Sequence, residues 1–406
     1  MYLKLAWRNL WRNPKRSLIT ISAIVFAVFA AILMQSLNRG SHEIMVDNMV
    51  RFHTGYVQLQ DYRYDEEASL DNAFLLDEAL LREIREAHPR IGTLIPRIET
   101  FMLAGNDHAT RGALVLGIEP EQEHAFNGLK DLLIEGRFFE QGEQMAVISE
   151  GLARRLQLRT GDTILLLGQG RFGMSANALY EISGIVQHPL RDLNNQMVYL
   201  PLAEAQFLLS AEEHVTALLI EMDADRHKDA VAAALNSRLH EADLIAYTWP
   251  EMIPELLQLL EFDLAGAYFL GAVLYLVIGF GFFGTILTMT LERMREFGML
   301  LSVGMKRGRL ALVVFWETLM LSIIGVLSGI GVSWLLLLYL HYKPIQLTGD
   351  VAEAITEMGW EAVLPVSFAA DQFYMQGVIV FGIAMVVFLF PLIKIFRLNI
   401  LDASRT

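Results

Sequence analysis

The sequence predicts a polytopic α-helical membrane protein of four transmembrane helices, with a large α+β extracytoplasmic domain between the first and second spans. Four apolar runs, Leu18–Leu37, Leu264–Thr290, Leu310–Leu340 and Phe373–Phe396, are each long enough to cross roughly 30 Å of hydrocarbon. The chain is 54% hydrophobic with a mean hydropathy of +0.38, and only 19% of it is charged, below the roughly 25% usual in soluble domains. The polar stretch between the first two runs, roughly 200 residues, is long enough to bury a core of its own. The predicted organisation is therefore residues 1–40 (an entry helix and the first span), 41–262 (the outer domain with a helical stalk at each end) and 263–406 (three further spans). The last part holds a connector at 291–309 and a shorter outer loop at 341–372.

Charge sets the orientation. Residues 1–17 carry Lys4, Arg8, Arg12, Lys15 and Arg16 and no acid. Residues 291–309 carry five basic residues against Glu292 and Glu296, and the tail from 393 carries three against Asp402. These segments hold thirteen basic and three acidic residues, a net of +10, which leaves −24 for the rest of a chain whose total is −14. Basic loops stay on the cytoplasmic side, so both termini and the connector are expected inside and the acidic domain outside. The run of apolar residues at the N-terminus is longer than a signal-peptide core and is closed by no A-x-A site, so an uncleaved first span is expected.

Leu3, Trp7, Leu10 and Trp11 recur at helical spacing, with Arg8 and Arg12 on a neighbouring stripe. This predicts an interfacial helix whose tryptophans sit at headgroup depth and whose cations face anionic lipid. Pro14 breaks it before Ser17 opens the first span. That span keeps a helical period through Ile44, Met45, Met49 and Val50, and Pro254–Phe262 offers a leucine stripe before the second span. In the outer domain, strands are expected at Gly55–Gln60, Gly112–Ile118, Thr163–Leu167, Gln196–Leu200, Val215–Glu221 and Leu244–Thr248. Helices are expected at Asp77–His88, Ser149–Leu156 and Arg226–His240. Gly168–Gly173 matches G-x-G-x-x-G but precedes no helix, so it reads as a hairpin tip.

No constellation carries catalysis. The 406 residues contain no cysteine, no G-x-x-x-x-G-K-[ST], no G-x-S-x-G and no H-E-x-x-H, and the ten histidines lack metal spacing. No cofactor or metal site, no catalytic residue and no nucleic-acid partner is expected. Glu317 is the one carboxylate inside a span. Two readings stand: a relay, or a structural contact to Arg307 or Arg309. Gly325 and Gly329 stand four apart in the same span, the spacing that lets helices approach in lipid. The connector holds Arg293, Arg295 and Glu296, then Phe297, Met299, Leu300 and Leu301, then Gly304 before a second basic cluster. It reads either as an amphipathic helix on the membrane surface or as a plain loop.

With these residues in view, the chain resembles permeases of the MacB, LolC/LolE and FtsX superfamily, the type VII, mechanotransmitting ABC transporters. The resemblance rests on the one-plus-three span layout and on Arg8-Asn-Leu-Trp-Arg-Asn-Pro-Lys-Arg-Ser17. It rests also on the R-E-x-G-x-x-x-x-x-G pattern ending at Gly304, on Glu317 with Gly325 and Gly329, and on the tail Arg397–Ala403. The tail has Ile400 where proline is common in the family. The LolC/LolE-like branch is nearest in layout, since no ATPase is fused to the sequence.

That resemblance implies a multi-pass protein of the bacterial inner membrane with a periplasmic domain and a coupling helix gripped by a cytoplasmic ABC ATPase dimer, on which ATP and Mg would sit. Met299, Leu300 and Leu301 would fill a groove on that ATPase, with Arg293, Arg295 and Glu296 as rim contacts. A second permease subunit, identical or paralogous, membrane lipids and a periplasmic carrier or lipoprotein are the other implied partners. The implied work is release of lipoproteins or another amphiphile. The alternatives are an FtsX-like regulator that switches a periplasmic hydrolase or signalling partner, and MacB-like efflux of peptides or drugs.

Overall fold

The computed structural model describes residues 2–12, 14–66, 68–222, 224–239, 243–349, 352 and 363–397. Of the tail motif only Arg397 is among them. Ile400 and the rest of the motif lie outside, as do residues 350–351 and 353–362 of the loop after the third span. The chain forms two compact units, one of Met1–Glu43, Leu259–Gln346 and Val363–Thr406, the other of Ile44–Gln258 and Leu347–Ala362.

Helix α1 (Tyr2–Arg12) and α2 (Pro14–Met49) open the chain, and the Ser17 hydroxyl donates to Leu10 O at 2.6 Å. A π-helical turn at Val50–Thr54 ends α2 at Gly55. The outer unit then runs β1 (Val57–Asp61), α3 (Tyr62–Glu66), β2 (Phe74–Leu75), α4 (Glu78–Ala87), β3 (Leu94–Gly105), β4 (Thr110–Ile118), α5 (Pro120–Asn127) and β5 (Leu133–Gly136). It continues through β6 (Met145–Ser149), α6 (Glu150–Leu156), β7 (Thr163–Gln169), β8 (Ser175–Val186), α7 (Arg191–Gln196), β9 (Met197–Pro201) and α8 (Leu202–Leu208). It closes with β10 (His214–Val215), β11 (Ala217–Ile220), α9 (Lys228–Arg238), β12 (Leu244–Thr248) and α10 (Trp249–Met252). Then come α11 (Pro254–Glu292), α12 (Met294–Ser302), α13 (Arg307–Tyr342) and α14 (Ala370–Arg397). Among the described residues, four helices are long and apolar enough to cross a membrane, in the stretches Pro14–Thr54, Pro254–Glu292, Arg307–Tyr342 and Ala370–Arg397.

The outer unit is built on one ten-stranded sheet in the order β12-β1-β11-β3-β4-β9-β6-β8-β5, with β7 pairing β3 and β8. The pairs β4–β9 and β6–β8 are parallel and the rest antiparallel. β9 is buried along its whole length, as expected of a strand covered on both faces. α4 starts where the sequence signals it, the Asp77 carboxylate accepting from Leu80 N at 2.7 Å. Gly168–Gly173 occupies the turn of the β7–β8 hairpin, Gln169 opposite Ser175. The expected strand at Val215–Glu221 is two short strands, because Thr216 leaves the ladder: its N–H donates to Arg97 O at 3.0 Å and its hydroxyl accepts from Glu99 N at 2.9 Å.

At the centre of this unit lies an ion pair absent from the predicted elements. Arg97 on β3 and Glu123 on α5 are each 1% exposed. Arg97 Nε and Nη2 donate to the Glu123 carboxylate and Nη1 donates to His53 O at 2.6 Å. Asn127 Nδ2 donates to the same carboxylate and Asn127 Oδ1 accepts from Leu129 N at 2.9 Å. Beside it His188 shares a hydrogen bond with the Tyr199 hydroxyl and lies edge-on to Phe52, with ring centroids 5.6 Å apart.

Burial, and secondarily the Arg97 charge, push the His188 pKa down to about 4. An imidazole that titrates near 6.5 in the unfolded chain and near 4 in the fold binds its proton more readily when unfolded. It therefore costs no stability above about pH 6.5 and removes up to about 3 kcal/mol as pH falls through that interval. We expect acid unfolding of the full chain in detergent to be shallower between pH 6.5 and 4 in H188Q, which carries no titrating ring, than in the parent. Superimposable pH profiles of the unfolding midpoint would remove His188 from this role.

Candidate functional site

The connector is a helix with two differently buried faces. Arg293 (φ −94°, ψ 2°) breaks the path from α11 into α12. α12 ends in a left-handed cap: Gly304 has φ 99°, its N–H donates to Leu301 O at 3.1 Å and Met305 N–H donates to Leu300 O at 3.0 Å. This pair of bonds is a Schellman motif, and a side chain at Gly304 would meet the left-handed backbone penalty.

Within α12, Phe297, Gly298 and Leu301 are buried, Phe297 and Leu301 in a cluster with Leu310, Ala311, Val314, Phe388 and Ile395 of α13 and α14. Met299 is 62% exposed, Leu300 39% and Val303 88%. Side chains four apart share a helix face, so Phe297 and Leu301 face the bundle while Met299 and Leu300 face away. The expected groove-filling set of Met299, Leu300 and Leu301 is corrected accordingly: Leu301 anchors the helix and is inaccessible, and Val303 joins the exposed apolar surface.

The charged residues divide in the same way. Arg295 is exposed. Arg293 is not a rim residue: it donates from Nη1 to Glu317 Oε1 at 2.6 Å, its side chain 11% exposed and that of Glu317 3%. Its guanidinium also lies 5.5 Å from the Phe297 ring centroid. Glu317 thus makes a structural contact, to a partner other than the Arg307 or Arg309 expected. Arg307 donates instead to Phe396 O at 3.0 Å. Glu317 lines a cavity of about 20 Å³ with Thr290, Thr318 and Pro391, and its Oε2 has no hydrogen-bond partner among the described residues. Glu296, also expected at a rim, is paired with Arg12 of α1, and Glu292 with Arg16 of α2.

The entry helix reaches this site through Arg12, and the span glycines lie further along α13. Trp7 and Trp11 are 48% and 51% exposed and form an edge-to-face pair with centroids 5.8 Å apart. Arg8 is exposed, whereas Leu10, expected on the tryptophan stripe, turns inward with Ala6. A Cβ on Gly325 would stand 2.7 Å from Ile24 Cβ, and one on Gly329 2.7 Å from Val28 Cβ. These two positions let α13 lie directly on α2. Sequence reasoning missed a second close approach at Gly40, where a Cβ would fall 2.8 Å from the Pro365 backbone. Ser36 Oγ donates to Ser367 O at 2.7 Å nearby, and Arg39 donates twice to Asp371 of α14, at 2.9 and 2.7 Å.

Two domain families match the chain: the MacB-like periplasmic core domain over residues 17–238 and the FtsX-like permease C-terminal domain over residues 268–400. Among curated proteins, the pyoverdine export ATP-binding/permease protein PvdT of Pseudomonas syringae pv. tomato is 25% identical over 353 residues, covering 81% of this chain and 50% of that protein. The macrolide export ATP-binding/permease protein MacB of Burkholderia pseudomallei is 22% identical over 382 residues, covering 86% and 55%. The chain thus spans about half the length of the curated relatives it matches. Among solved structures, the periplasmic region of MacB from Actinobacillus actinomycetemcomitans aligns with a TM-score of 0.35 and 13% identity over 52% of this chain and 95% of that one. The extracellular domain of the transporter YknZ aligns with 0.34 and 14%, over 47% and 99%.

Proposed function

The chain belongs to the MacB/FtsX family of ABC transporter permeases, and from that premise we propose that it carries ATP-driven motion from a cytoplasmic ABC ATPase to its periplasmic domain across the inner membrane. The observation that carries this is α12: an exposed apolar face of Met299, Leu300 and Val303 on a helix whose other face is locked to the third span through Phe297, Leu301 and the Arg293–Glu317 pair. A partner seated on the first face moves the span through the second. ATP and Mg bind on the ATPase, because these 406 residues contain no P-loop. Both termini and α12 lie in the cytoplasm, and a second permease copy or paralogue completes the transporter.

The cargo proposed is a lipoprotein or another amphiphile, lifted from the outer leaflet of the inner membrane and passed to a periplasmic carrier. A second reading is efflux of a soluble molecule, favoured by the words "pyoverdine export" and "macrolide export" in the names of the relatives. Spheroplasts that express the chain with its ATPase separate the two. Release of a lipid-anchored protein that requires ATP and the carrier is the expected result. Undisturbed lipoprotein release with loss of small-molecule export on deletion would establish the second reading. Co-purification with a cell-wall hydrolase or its activator, and no released cargo, would overturn both.

A further inference from the structure

Helices α6 and α7 meet at Gly151, where a Cβ would stand 2.5 Å from Asn194 O and 2.5 Å from Asn195 Oδ1. Only glycine permits this approach, and its effect is to bring Arg154 and Arg155 of α6 together with Arg191 of α7 around one cleft of about 660 Å³. Three guanidinium groups around one opening make it a place where an anion is favoured. Among the described residues Arg155 and Arg191 have no carboxylate partner, and Arg154 comes no nearer than 3.7 Å to Glu150, the one carboxylate among the described residues that line the cleft. Among the described residues the lining carries a surplus of two positive charges, in a chain whose segments outside the basic ends and connector total −24.

A second observation is independent of the arginines. His188 lines the same cleft although only 4% exposed, and its Nδ1 has no hydrogen-bond partner among the described residues. Its backbone N–H holds Asn194 Oδ1 at 3.0 Å and so fixes that side chain at the rim. Guanidinium forks match carboxylates and phosphates in bidentate geometry. The volume lies within the roughly 300–1,000 Å³ of small-molecule sites, well beyond one inorganic ion. From this geometry we propose that the cleft between α6 and α7 binds a small organic anion carrying at least two acidic groups, carboxylate or phosphate.

The test is calorimetric titration of the purified full chain in neutral detergent at constant ionic strength, with citrate as the carboxylate probe and inorganic pyrophosphate as the phosphate probe. One saturable site is expected for at least one probe, and the stronger probe identifies the acidic group. Removing two charged contacts in R155A/R191A should weaken it by about tenfold or more. Both side chains are exposed, and an unchanged circular dichroism spectrum confirms the fold. R85A/R111A, which removes two exposed charges elsewhere on the same unit, should bind as the parent does. No saturable binding of either probe, an unweakened R155A/R191A, or equal loss in R85A/R111A would each overturn the proposal.

Discussion

L300D is expected to abolish the stimulation of ATP hydrolysis that the permease gives its ATPase, while the membrane bundle stays folded. Leu300 lies on the outer face of α12 beside Met299 and Val303, where an apolar anchor at the centre of an interface is worth about 2 kcal/mol or more on truncation. A charge in its place adds the cost of burying an unpaired carboxylate. The assembled complex should weaken by about 30-fold or more. L301D is the contrasting variant: Leu301 is 8% exposed among Phe297, Leu310 and Ile395, so its replacement damages the bundle itself. Hydrolysis measured after reconstitution, beside thermal unfolding of each variant, separates the two effects. Parental hydrolysis by a folded L300D complex would take α12 out of its proposed role.

R97L should cost the outer unit about 3–5 kcal/mol, because it leaves the Glu123 carboxylate buried without its cation. R97L/E123L should recover most of that loss, since apolar pairs of similar volume replace buried ion pairs at little cost. Denaturant unfolding of the full chain, followed through the β-sheet circular dichroism signal, reads both. A single variant within about 1 kcal/mol of the parent would show that the pair is not desolvated as its 1% exposure implies.

The fate of these two sites explains how far the sequence could be read. The four spans were legible because lipid demands uninterrupted apolar length, and α4 because Asp77 caps it. β3 was not, since Pro96 and Arg97 interrupt the alternation near its start and a charge reads as solvent-facing until its partner is known. That partner lies 26 residues away on another element, beyond any periodic signal. The Arg293–Glu317 pair was hidden in the same way by its 24-residue separation. The inward turn of Leu301 was within reach: Phe297 and Leu301 stand four apart, and weighing that spacing would have divided the apolar residues of α12 into two faces. Gly40 was not, because a close approach to a distant backbone leaves no local trace.

The ion pairs around α12 differ in how firmly they hold. Arg293–Glu317 is sheltered, with side chains 11% and 3% exposed, whereas Arg12–Glu296 and Arg16–Glu292 have all four side chains between 37% and 52% exposed. Water-exposed pairs contribute about 1 kcal/mol or less and fade with salt, while breaking a sheltered pair costs several times more. Salt therefore acts unequally on the ties of α12: raising the ionic strength weakens its charged contacts to α1 and α2, while the sheltered tie to α13 holds, and α13 stays packed on α2 through Gly325 and Gly329.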